Sequence, residues 1–111
     1  MASRKHPFLA RQGDVLIIGI AALPPNLETV KRDAGRVVLA YGEVTGHAHA
    51  IAERGATLFR DPKLNALFLN VAEDGVALRH DEHGAIDLPR GDYQVIRQRE
   101  YSPEEIRNVA D

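Results

Sequence analysis

The sequence predicts a mainly β protein, a small β-barrel or sandwich with one C-terminal α-helix. Three observations point there. Apolar runs rich in Val, Ile and Leu recur along the chain and are too short for core helices. Turn signals separate them every eight to twelve residues or so, as at Pro24-Pro25, Arg54-Gly55, Asp61-Pro62, Glu73-Asp74-Gly75 and Pro89-Arg90-Gly91. Helix-start chemistry gathers at one place, after Ser102. A length of 111 residues suits one domain with a single modest core.

In chain order, residues 1–12 carry Arg4, Lys5 and Arg11 around Pro7 and read as an N-terminal arm, with residues 13–111 as the β domain. Residues 14–20 read as a strand buried on both faces, because Val and Ile fill successive positions. A basic start before an apolar run also has the outline of a signal peptide. Asp14 abuts that run, however, and Pro24-Pro25 stand where a small-residue cleavage site belongs. The run is also too short to cross a bilayer. Residues 23–35 form a loop, and 36–44 a strand that breaks at Gly46.

If that strand resumes, His47, His49, Ile51 and Glu53 share one face and Ala48, Ala50 and Ala52 the other. Strands follow at 56–59, 64–72, 76–80 and 85–88, the second and third joined by a hairpin turn at Glu73-Asp74-Gly75. The last strand, 93–101, sets Tyr93, Val95, Arg97, Arg99 and Tyr101 on one face. Ser102 then caps a helix over 103–110, with Pro103 in its first position, Glu105 completing a capping box, and Ile106 and Val109 docking it on the sheet.

Four of the five histidines fall in two short windows, His47-Ala48-His49 and His80-Asp81-Glu82-His83. Imidazole changes charge near neutral pH and ligates transition metals, so the windows point to proton transfer, metal binding or both. Positions two apart on a strand lie about 6.7 Å apart, near enough for two rings to meet one ion or one substrate group. Each window also has a plainer role, the first as a solvated strand face and the second as a polar turn. Arg97 and Arg99, bracketed by Tyr93 and Tyr101, form a seat for a phosphate or carboxylate, since guanidinium grips such anions bidentately. Thr45, beside His47, is a further substrate contact.

Composition narrows the remaining classes. Without cysteine there is no disulfide, thiolate nucleophile or sulfur-ligated metal, which fits the cytoplasm and leaves histidine and carboxylate as ligands. A net charge of −2 argues against duplex DNA as partner. No Gly-rich phosphate loop and no serine nucleophile elbow occur.

Two resemblances follow from these motifs. His47-x-His49 with Glu53, then Pro89-x-Gly91 leading into a strand, resembles part of the two-part signature of cupins. That resemblance implies a small β-barrel in which His47, His49 and Glu53 hold a divalent transition metal such as Zn, Mn, Ni or Fe. Gln94 stands where the cupin pattern has its last histidine. Across residues 13–111 the chain is also similar to short bacterial and phage proteins of unassigned activity that carry the Gly42-Glu43-Val44-Thr45-Gly46-His47-Ala48-His49 segment.

The function expected is that of a small hydrolase, a phosphodiesterase or ribonuclease acting on a nucleotide or a single-stranded or cyclic oligonucleotide. His47, His49, His80 and His83 would provide general acid–base catalysis, and Arg97, Arg99, Tyr93, Tyr101 and Thr45 would hold the substrate. A cupin-like metal protein and a non-catalytic ligand-binding module are the alternatives. Partners expected are an anionic small molecule or short single strand, no membrane, and a second copy of the chain in a homodimer.

Overall fold

The structure, a computed structural model, describes residues 8–42 and 47–98. Thr45, Gly46, Arg99, Tyr101 and the helix expected over 103–110 lie outside these residues. The ten described strands are β1 (Leu9–Gln12), β2 (Val15–Ile20), β3 (Glu28–Thr29), β4 (Val37–Tyr41), β5 (Ala48–Ile51), β6 (Ala56–Asp61), β7 (Ala66–Val71), β8 (Val76–Arg79), β9 (Ile86–Leu88) and β10 (Gly91–Arg97).

They form two antiparallel sheets, one ordered β1-β2-β10-β7-β6-β3 and the other β4-β5-β8-β9. The mainly β expectation therefore holds, whereas a closed barrel does not: among the described residues each sheet keeps two edge strands. The chain passes between sheets after β3, β5, β7 and β9, so neither sheet accumulates the continuous ladder that closure requires. No described helix is long and apolar enough to cross a membrane.

Both sheets contribute to one apolar core. Val15, Ile17, Leu58, Leu69, Val71, Tyr93 and Val95 come from the first, and Val37, Leu39, Ile51, Val76, Leu78 and Leu88 from the second. Period-two alternation decides which side chains enter it. In β2 this corrects the expectation of burial on both faces: Val15 and Ile17 are buried, while Leu16 and Ile18 lie half-buried on the outer face.

The N-terminal arm is shorter than the sequence suggests. Leu9–Gln12 is a strand that pairs with β2 around a two-residue turn, Gly13-Asp14, with Gln12 opposite Val15. Gly13 has a φ of 60°, the left-handed backbone that such tight hairpins demand of a central residue. The last strand, β10, lies between β2 and β7 and pairs Arg97 with Val15. That register brings the end of β10 beside the β1–β2 turn, and this corner is where the histidines converge.

Candidate functional site

His49 is the buried member of the cluster, with only 3% of its surface exposed. A register irregularity in β4 between Val38 and Ala40 puts Ala40 opposite His49, and the small methyl leaves room for the ring. On the other side β5 pairs Ala50 with Arg79 of β8, so one further step along the ladder sets His80 across from His49. Their ring centres are 4.3 Å apart. The turn after β8 brings His83 to 4.7 Å from His80 and 6.1 Å from His49, with the His49 and His83 planes nearly parallel. His47 lies 5.8 Å from His80, edge to face. The two windows thus form one four-ring cluster.

The residues that support this cluster come from the β1–β2 turn. Gln12, 2% exposed, directs its amide nitrogen to the carbonyls of Leu78 (2.9 Å) and Gly84 (2.8 Å). Its amide oxygen lies 2.8 Å from His49 Nδ1. Because that oxygen can only accept, Nδ1 carries the proton and neutral His49 presents a bare lone pair at Nε2. Asp14 Oδ1 is 3.4 Å from this Nε2, and Asp14 Oδ2 accepts a hydrogen bond from Arg97 Nε at 3.1 Å. Arg97 also donates from Nη2 to the Tyr41 carbonyl.

Electrostatics follows from these contacts. Burial lowers the pKa of His49 below the usual imidazole range, with the neighbouring His80 and His83 and the Arg97 guanidinium acting in the same direction. Asp14 opposes them without prevailing. Partial burial of Asp14 pushes its pKa up, but the hydrogen bond and charge of Arg97 outweigh this and hold the carboxyl below its ordinary value. Neutral imidazole beside ionised carboxylate is therefore the resting pair.

The other rings differ in proton placement. His80 Nδ1 accepts the Glu82 backbone N–H at 3.0 Å, so a neutral His80 carries its proton on Nε2. His47 has Asp81 Oδ2 at 3.8 Å from Nε2 and Glu82 Oε2 at 3.7 Å from Nδ1, a carboxylate facing each nitrogen. Gly13 allows this crowding. A Cβ built there would lie 2.8 Å from His83 Nε2 and 3.2 Å from His49 Cε1.

Not every residue expected at the site reaches it. Arg97 does, but Tyr93 is 2% exposed in the core, edge-on to Phe8, with its hydroxyl donated to the Pro89 carbonyl. Four residues along β10 separate it from Arg97, about 13 Å, so it lies in the core away from the histidine corner. Glu53 is also elsewhere. Strand β5 ends at Ile51, the face alternation ends with it, and Glu53 instead accepts from the Ala77 N–H (3.2 Å) and Arg79 Nη1 (2.9 Å). Burial pushes its pKa up, but these donors prevail and hold it below the usual value. The cupin-like set of His47, His49 and Glu53 is thus not assembled.

As for metals, the donors in the corner are the four histidines, Asp14, and the Asp81 and Glu82 carboxylates that face His47. Among the described residues, no three His, Asp or Glu side chains already stand as a metal-holding group. Gln12, Gly13 and Asp14 were missed in the sequence, although Gly-Asp between two strand-forming runs is itself a hairpin signal.

No curated protein and no solved structure matches the chain. Residues 11–98 match a family model described as a domain of unknown function, a span that runs from β1 to the end of β10 and includes every described residue of the histidine corner. The chain belongs to that family, DUF8820.

Proposed function

We propose that the histidine corner is the catalytic centre of a small phosphodiesterase that cleaves a nucleotide or a short single-stranded or cyclic oligoribonucleotide. The observation that carries this is the arrangement of His49: neutral, with a bare Nε2 and its Nδ1 proton engaged, within a cluster of three further imidazoles and one arginine.

In this reading the exposed His83 turn and the Asp14 carboxylate move aside to admit the substrate to the buried ring, and His49 Nε2 takes the proton of a ribose 2′-hydroxyl. The freed oxygen attacks phosphorus, the bond to the 5′-oxygen breaks, and His47 gives that oxygen a proton. The products are a 2′,3′-cyclic phosphate and a 5′-hydroxyl, so charge and protons balance. His80 Nε2–H and Arg97, whose Nη1 has no hydrogen-bond partner among the described residues, face the charge developing on the phosphoryl oxygens.

The test is to incubate the protein, with and without EDTA, with linear and cyclic oligoribonucleotides from about pH 5 to about pH 9. Cleavage to 2′,3′-cyclic ends is expected, with 2′-deoxy substrates left intact. Replacing His49 by Ala should lower the rate by roughly 10²- to 10⁴-fold. RNA left whole under all these conditions would end the proposal.

A second reading has its own observation. His49 Nε2 and ionised Asp14 Oδ1 are both acceptors 3.4 Å apart, an arrangement that attracts a cation, and His83 Nε2 lies beside Gly13 at the same corner. In that reading His49, His83 and Asp14, rather than Glu53, would hold a transition metal after a ring rotation. Elemental analysis of untagged protein separates the two readings: about one tightly held ion per chain, lost in His49→Ala, favours the metal centre.

A further inference from the structure

We propose that Gln12 is a positioning residue, holding the His49 proton on Nδ1 and holding the two histidine windows at their working separation. The proposal rests on the reading that His49 Nε2 is the reacting atom. A primary amide has two N–H donors on one end and an acceptor oxygen on the other. Both donor directions of Gln12 end on backbone carbonyls, Leu78 and Gly84, which can only accept. Turning the amide round would set its oxygen against those two carbonyls and its NH2 against His49 Nδ1. In a side chain this buried, each lost bond leaves a desolvated acceptor unpaired.

The backbone therefore orients the amide, the amide orients the imidazole, and the lone pair is left on Nε2. The two carbonyls also bracket the second window. Leu78 stands two residues before His80, and Gly84 one residue after His83. One buried side chain thus fixes both ends of the segment carrying His80 and His83 and, through its oxygen, the ring of His49. Asp14, Arg97, His80 and His83 face the same ring and set its charge environment, but among the described residues only Gln12 hydrogen-bonds its Nδ1.

The test uses the full chain labelled with ¹⁵N-histidine, in which two-bond ¹H–¹⁵N correlations distinguish the Nδ1–H from the Nε2–H tautomer. Wild-type His49 is expected as a single Nδ1–H form. Gln12→Met, similar in size but without donor or acceptor, should give mixed tautomers and lower the kcat for oligoribonucleotide cleavage by about 10- to 100-fold, with KM little changed. A wild-type Nε2–H tautomer overturns the proposal. So does a folded Gln12→Met variant that keeps the Nδ1–H form and full kcat. If Gln12→Met does not fold, Gln12→Asn, one methylene short, is read in the same way, and the wild-type spectrum still decides. Because the tautomer is read without turnover, loss of the phosphodiesterase reading and loss of this one are separately visible.

Discussion

At the scale of single residues, the corner depends on what occupies position 13. Gly13 combines a left-handed φ of 60° with van der Waals space already taken by His83 and His49. An alanine there meets both costs: the backbone conformation alone is worth about 1–2 kcal/mol against a non-glycine residue, and the new methyl must displace the exposed His83 ring. Gly13→Ala is expected to lower stability by about 1–2 kcal/mol in urea melts and to reduce cleavage, whereas an unchanged urea midpoint would mean that the turn relaxes freely. His49 gives a second prediction at this scale. Its pKa is lowered by burial, so the base form persists on the acid side of the ordinary histidine range. The acid limb of kcat/KM should fall below pH 6.5, the ordinary value for imidazole. A limb above that value would assign the base to another group.

Among the elements, β10 and β5 show how far strand alternation could be read and where it failed. Alternation correctly placed Tyr93, Val95 and Arg97 on one face of β10, and that face turns inward. It could not tell that the Tyr93 end of the face is core and the Arg97 end is the site, because that depends on which strands lie opposite. Tyr93→Phe removes the hydroxyl bond to the Pro89 carbonyl and should cost about 0.5–1.5 kcal/mol of stability while leaving cleavage intact. Lost cleavage at unchanged stability would return Tyr93 to the substrate. In β5, alternation was right through Ile51 and wrong at Glu53, since face-sharing ends where the strand ends. The convergence of the histidine windows was legible as two polar clusters at strand ends. Gln12 and Asp14 were not, because β1 has only four residues, too few to show a period, and Gln12 meets its partner 37 positions away.

For the whole molecule, the sheet edges and the groups with shifted pKa values decide behaviour. Strands β1 and β3 bound one sheet and β4 and β9 the other among the described residues, and Leu9 on β1 is 67% exposed. Edge pairing of two copies is the expected result, so light scattering at micromolar concentration should give twice the chain mass; a monomer mass at every concentration removes the homodimer. Acid stability follows from three shifted groups. Asp14, Glu53 and His49 all have folded pKa values below their ordinary values of 3.8, 4.5 and 6.5. In each case the unfolded chain takes up its proton first, so stability is full above the unfolded-chain value and is lost as pH falls through the folded one. The His49 contribution declines first, starting near pH 6.5, and the two carboxylates follow below about pH 4.5. Thermal melts should therefore fall in two stages on acidification, and His49→Ala should remove the upper stage alone. If the variant keeps that upper stage, the proton uptake belongs to another histidine of the cluster and the burial of His49 is not its cause.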